Sequence, residues 1–292
     1  MLFSSGHLIY IVDYPEDEVH HLPAKTWGEA ALMTPAPFRL GLTATYPEEH
    51  EQVGERWRLD ELIGPIVFTQ QLETLVGKQL AEYRTQRVRV DLTPEERATY
   101  EALHETYLGF VRERELQRKH GAGWLRELMR LSAIDPHARR AMLARRQLLN
   151  ILESCQGKFA ALEALLREHA GERILVFTES NAVAYTIARQ YLVPVISHET
   201  GVAERKHILE AFQAGRYSVI ATSKVLNEGI DVPEAKVAIV LGGGVSKREY
   251  LQRLGRILRK KEPLQAVLIE LLVRNTIEEG KVQRRQVPRE KR

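Results

Sequence analysis

Cysteine is almost absent: Cys155 is the one such residue in 292, so neither an internal disulfide framework nor a cysteine-rich zinc site can form. On a helical segment it reads as a small apolar filler. Long hydrophobic runs are missing too, none approaching the roughly 20 residues that span a bilayer. Met1 to Ser5 lead into a strand-like segment with no basic n-region. A soluble chain in a reducing, cytoplasmic setting, with no membrane contact, is the expectation. There is no excess of one charge either. Lys and Arg number 42 against 39 Asp and Glu, a net charge of +3, so any basic surface must be local. What is present, 44% hydrophobic and 28% charged residues, suffices for one or two ordinary domains and excludes disorder over most of the length.

Apolar periodicity divides the chain into parts. In residues 1–92, Leu8-Ile9-Tyr10-Ile11-Val12 and Phe38-Arg39-Leu40-Gly41-Leu42 read as buried strands, and Arg87 to Leu92 alternates like a half-exposed one. This part looks like a fragment of a sheet. Thr93-Pro94-Glu95-Glu96 then opens a helical part running to residue 156, with a threonine N-cap, a proline at N1 and a glutamate at N3. Breaks are expected at Gly121-Ala122-Gly123 and Asp135-Pro136. Between Val111 and Arg146 stand ten Lys or Arg and four acids, an excess of six, with Arg139, Arg140, Arg145 and Arg146 closely spaced. A solvated helical face is one reading. Arginine also grips phosphate with two parallel hydrogen bonds, which makes a nucleic-acid-facing surface the rival.

From residue 157 to about 274, strand and helix alternate. Ile174 to Phe177, Ser218 to Ala221, Val237 to Leu241 and Ala266 to Ile269 are apolar enough to be buried on both faces. Asn181 to Tyr191, Ala203 to Gln213 and Lys247 to Arg259 read as helices. Continuous apolar strands alternating with helices imply an α/β fold, a doubly wound parallel sheet covered on both sides. Residues 275–292 form a basic tail.

In such a sheet ligands collect beyond the carboxyl ends of the strands. After the first strand comes Asp17-Glu18-Val19-His20-His21. Adjacent carboxylates can divide two tasks, one holding Mg²⁺ and the next orienting or deprotonating a water, though such a pair on a loop is usually just solvated. After Ser218 to Ala221 comes Thr222 to Pro233, whose hydroxyls can meet a phosphate, with Gly229 allowing close backbone approach and Asp231 able to accept from a ribose hydroxyl. A plain turn is the other reading. Gln252, Arg256 and Arg259 fall at i, i+4 and i+7 of an expected helix and share one face. That arrangement suits clamping a polyphosphate, where arginines supply charge to a phosphoryl-transfer transition state.

The order and content of these segments resemble the superfamily 2 helicases. Asp17 to His20 is similar to motif II, Gly41-Leu42-Thr43-Ala44-Thr45 to motif III, Ile174 to Thr178 to motif IV, Thr222 to Pro233 to motif V and Gln252 to Arg259 to motif VI. The wording is nearest the XPB/Rad25-like branch. The resemblance implies a complete second RecA-like domain, a partial first one over residues 1–92 and a thumb-like basic insertion over 93–156. It further implies ATP and Mg²⁺ as cofactors, with Asp17 on the metal and Glu18 activating the water. His20 would couple the nucleotide site to motif III, with Thr43 and Thr45 in that linkage, Gly229 and Asp231 would border the nucleotide, and Gln252, Arg256 and Arg259 would contact its phosphates. Thr178, Thr200 and Thr222 would meet the nucleic-acid backbone, beside Arg139, Arg140, Arg145 and Arg146. DNA, single-stranded or forked, is the implied partner, together with a missing N-terminal helicase half or a nuclease.

Three departures stand out. No stretch of the sequence matches the Gly-x-x-x-x-Gly-Lys-Ser/Thr loop that cradles a triphosphate: Gly77-Lys78 and Gly157-Lys158, for instance, lack its upstream glycine and following hydroxyl. Asp13-Tyr14-Pro15-Glu16 separates the first strand from Asp17, so Asp13 competes for the metal position. Tyr46-Pro47-Glu48-Glu49-His50 stands where the branch carries Arg-Glu-Asp. The expectation is the C-terminal part of an ATP-dependent DNA helicase with little ATPase activity alone. The alternatives are a non-enzymatic nucleic-acid or partner-binding module, or a decayed remnant.

Overall fold

A computed structural model of the chain describes residues 19, 22–23, 25–33, 39–43, 57–68, 83–223, 235–242 and 266–280. Residues 1–75 and 76–292 form separate compact units. In the first, α1 (Lys25–Met33) and α2 (Leu59–Leu62) share a small core of Leu22, Ala31, Leu59 and Leu62. A methyl group on Gly28 would come within 2.3 Å of the Trp57 ring, so only glycine lets that helix approach. Residues 39–42, expected as strand, run outside any sheet, with Leu40 and Leu42 about half exposed. Their main chain meets Val19, whose N–H donates to Leu42 O at 3.1 Å. The strand expected at 8–12 lies outside the described residues.

The second unit is built on β1 (Tyr83–Val90), β2 (Ile174–Phe177), β3 (Val195–Ile196), β4 (Val219–Thr222), β5 (Val237–Val240) and β6 (Ala266–Val273). They make a six-stranded sheet in the order β1-β6-β5-β2-β4-β3, every pair parallel. The α/β parallel architecture is the one expected. Ile174, Leu175, Val176 and Phe177 are all buried in β2, which sits mid-sheet, and Leu162, Leu165, Val183 and Ile187 of the flanking helices pack on the face that carries Ile174 and Val176. From β2 the chain builds outward through β3 and β4 on one side, then crosses to β5 and β6 on the other. The crossover direction therefore reverses at β2, and the crevice at its C-terminal end is where open sheets of this kind bind ligands.

The sequence placed residues 87–92 with the first segment. The structure instead pairs Tyr83–Val90 with Ala266–Val273, from Tyr83↔Ala266 to Val90↔Val273, and the unit boundary falls at 75 rather than 92. Alternation reveals an edge strand but not which sheet supplies its ladder.

The helical part comprises α3 (Pro94–Glu113), α4 (Leu116–His120), α5 (Trp124–Ser132), α6 (Pro136–Ser154) and α7 (Gln156–Glu168). Thr93 and Glu96 close the expected capping box, Glu96 N–H to Thr93 Oγ1 at 3.2 Å and Thr93 N–H to Glu96 Oε2 at 2.9 Å. Asp135 caps α6 through the His137 N–H at 2.8 Å, with Pro136 at N1. Tyr107, Phe110, Leu116, Leu128, Ala138 and Ala141 form a core of their own. Val90, Tyr100, Leu148, Leu152, Cys155 and Val273 form a second cluster that joins α3 and α6 to the sheet. A break the pattern did not signal falls at Glu115, whose φ of 53° is left-handed.

Candidate functional site

The loops after β2, β4 and β3 lie side by side. Thr178 N–H donates to Thr222 O at 2.8 Å, and the Thr178 hydroxyl is shared between Ser180 O at 3.1 Å and Thr222 O at 3.2 Å. Thr222 Oγ1 donates to Ser223 O at 2.8 Å. Thr200 Oγ1 accepts from Ser197 N–H at 2.9 Å and faces Val195 O at 3.5 Å. The three threonines thus lie at neighbouring strand ends, and they are 1%, 9% and 0% exposed in the order Thr178, Thr200, Thr222. Their hydroxyls hold the strand ends in shape. Arg205 braces the same rim, Nη2 donating to Ser197 O at 3.4 Å and Thr200 O at 3.3 Å, while its buried Nε–H finds no partner among the described residues. Asn181 meets His198 at 3.0 Å and Tyr185 Oη donates to Glu199 at 3.1 Å, bounding the rim outward.

Two charged residues missed from sequence hold this region. Glu153, in the last turn of α6, is buried and accepts the main-chain N–H groups of Glu179 and of Ser180, the latter at 3.3 Å. Burial pushes its carboxyl above the ordinary range, against the pull of those two N–H groups. Lys158, fully buried, donates to Leu241 O at 2.5 Å and to Glu278 at 2.8 and 3.0 Å. Glu278 Oε2 also accepts from Val273 N–H at 2.9 Å. The pair pins the start of α7 to the ends of β5 and β6. Gly-Lys at 157–158 is thereby accounted for: Gly157 lies where a methyl would come within 2.5 Å of Asp91 O, and the lysine is an internal clamp. A lone acid ending a run of basic residues was the faint signal for Glu153. Lys158 gave none, because its partner lies 120 residues away.

The basic helical part resolves into paired and unpaired cations. Arg112 pairs with Glu105, Arg114 with Asp135, Arg118 and Lys119 with Glu115, and Arg130 with Glu127. Arg126 is likewise engaged. Arg139 donates to Ser132 O and Ala133 O, both at 3.1 Å, capping the end of α5. Among the described residues Arg140, Arg145 and Arg146 have no carboxylate partner. At about 100° per residue, Arg139, Arg140 and Arg146 fall on the exposed side of α6, opposite Ala141, Leu148 and Leu152, whereas Arg145 is half-buried at the margin. The excess positive charge of the sequence therefore concentrates on one face.

Thr43 is half-buried beside Gly41, which abuts Val19. Asp17, Glu18, His20, Thr45, Gly229, Asp231, Gln252, Arg256 and Arg259 lie outside the described residues. Among the described residues no group of three His, Cys, Asp or Glu could hold a metal, and no helix is long and apolar enough to cross a membrane.

Comparison with known proteins gives three results. The helicase conserved C-terminal domain matches residues 157–261. A DNA 3'-5' translocase XPB2 of Sulfurisphaera tokodaii is 42% identical over 260 residues, which are 89% of this chain and 58% of that protein. A DNA 3'-5' helicase XPB of Kineococcus radiotolerans is 32% identical over 84% of this chain and 36% of its own length. The chain thus spans little more than half of the first relative and about a third of the second. Among solved structures, the Pyrococcus furiosus Hef helicase domain superposes with a TM-score of 0.52 at 17% identity, covering 91% of this chain and 72% of that one. At that identity the likeness is one of fold.

Proposed function

The chain belongs to the XPB-like branch of the superfamily 2 helicases, and from that premise we propose that it works as the C-terminal part of an ATP-dependent DNA helicase or translocase. The observation that carries the reading is the 42% identity running through both the basic helical insertion and the parallel sheet. DNA lies along α6, where Arg140 and Arg146, which pair with no carboxylate among the described residues, meet phosphates. The buried Thr178, Thr200 and Thr222 shape the strand-end rim rather than donating to DNA with their hydroxyls. ATP with Mg²⁺ supplies the free energy for movement. Asp17 would hold the metal, Glu18 would orient the water, Gly229 and Asp231 would border the nucleotide, and Gln252, Arg256 and Arg259 would hold its phosphates. Lacking a phosphate-cradling loop, this chain alone turns over little ATP, because that loop contributes several kcal/mol of charge stabilisation at the transferring group.

The same lack favours a second reading, a nucleic-acid-binding module without turnover. Fluorescence anisotropy with single-stranded and forked DNA at two salt concentrations, with and without ATP and Mg²⁺, separates the two. Binding that falls steeply with salt and turnover that appears when an intact N-terminal helicase half is added support the helicase part. Salt-dependent binding that stays indifferent to ATP, with no turnover after that addition, supports the module. No salt-dependent binding refutes both.

A further inference from the structure

We propose that Glu153 is a positioning residue that ties α6 to the strand-end loop 178–180, so that DNA engaged on α6 is felt at the ends of β2, β4 and β5. The inference rests on the nucleic-acid reading of α6 given above. Glu153 and the exposed arginines belong to the same rigid rod: Arg140 and Arg146 lie two to four turns before it on one helix. Its carboxylate reaches across to the N-terminus of α8 (Asn181–Tyr191) and takes the N–H groups of Glu179 and Ser180. A helix start normally satisfies such donors from its own cap or from water. Here Ser180 caps Val183 N–H at 3.3 Å, and the two preceding amides depend on a side chain 26 and 27 residues earlier.

The loop so held touches both neighbouring strands. Thr178 reaches Thr222 at the end of β4. The Glu179 side chain lies over Gly242 after β5, where a methyl would come within 2.3 Å of its Cγ. All of this occurs where the crossover direction reverses. A shift of α6 along its axis must therefore move or break the hydrogen bonds that the Glu179 and Ser180 N–H groups donate to Glu153. A leucine at 153 would fill the space without that linkage, and a buried carboxylate is costly to retain for packing alone.

Amide hydrogen exchange of residues 179–183 in the full chain, with and without a single-stranded oligonucleotide, tests this in the parent, Glu153→Gln and Glu153→Ala. The amide oxygen of glutamine still accepts. In the parent and Glu153→Gln the oligonucleotide should slow exchange there by about fivefold or more, the lower end of ordinary coupling between sites. In Glu153→Ala binding should stay within about twofold while that slowing disappears. A purely structural role would raise exchange equally with and without DNA. Persistence of the slowing in Glu153→Ala, or no slowing in a parent that binds, overturns the inference alone. A parent that fails to bind the oligonucleotide overturns the nucleic-acid reading with it.

Discussion

Replacing Lys158 by Met removes a cation but keeps a side chain of similar length. It takes the lysine ammonium from the Glu278 carboxylate, 3% exposed, while the Val273 N–H still donates at 2.9 Å. Leu241 O loses its 2.5 Å partner as well. Breaking a buried pair from one side costs about 3–5 kcal/mol because the other charge stays uncompensated. The orphaned carbonyl, worth about 1–3 kcal/mol on its own, places this case at the upper end. With a domain stability of about 5–15 kcal/mol, the loss is a large fraction of the total. Urea unfolding followed by circular dichroism reads it as a midpoint lowered by about 1–2 M, taking a slope near 2–3 kcal/mol/M. The double variant Lys158→Met with Glu278→Gln removes both charges and keeps an acceptor for Val273, so most of the loss should return. A single variant that loses less than about 1 kcal/mol, or a double variant no better than the single, would refute the account of an uncompensated charge.

Further expectations address the other devices. Because burial raises the Glu153 carboxyl above its ordinary 4.5, the folded chain binds that proton more tightly than the unfolded one, and stability falls as pH rises through the raised value. Glu153→Gln should therefore raise Tm at neutral pH, with the gain shrinking as pH falls towards 4.5; a gain that is flat with pH would count against it. Thr93→Ala, which opens the capping box, should lower stability by about 1 kcal/mol in the same urea assay. Gly157→Ala presses a methyl towards Asp91 O and should cost about 1–3 kcal/mol by overpacking, also read by urea. Arg140→Ala with Arg146→Ala should weaken DNA binding uniformly across sequences and flatten the log K against log salt slope by about one per arginine. Arg145→Ala should change the slope less, and equal effects at all three would contradict the sorting by exposure.

Much of the second unit could be read from the chain. The apolar β2, β5 and β6 announce a doubly wound parallel sheet, and the pattern over Asn181–Tyr191 marks a helix with those bounds. Thr93-Pro94-Glu95-Glu96 states a helix start outright, because caps are local chemistry, and the break read at Asp135-Pro136 is the capped start of α6. What escaped was long-range. Strand β1 alternates as any edge strand would, and its partner lies some 180 residues on. Lys158 and Glu153 carry no local pattern, since a buried charge is recognised by its partner and not by its neighbours. At the candidate site, the resemblance names Thr178, Thr200 and Thr222 as contacts to the nucleic-acid backbone, and the structure puts them at neighbouring strand ends, buried. The resemblance could not reveal that their hydroxyls point inward, which depends on carbonyls supplied by adjacent strands.

The pairing of β1 with β6 also sets a timetable. Arg87 and Glu270, which face each other at 3.2 Å, are 183 residues apart in the chain. At about 5–20 residues per second, a ribosome needs roughly ten to forty seconds to deliver the second after the first. For that interval β1 is a finished strand without a sheet, the kind of segment that invites association with other nascent chains. Arg84, Arg87 and Arg89 space three like charges along it, and such charges act as gatekeepers on an unpaired edge. The helices between can form early from local contacts, leaving closure of the sheet by its last strand as the late step in making this molecule.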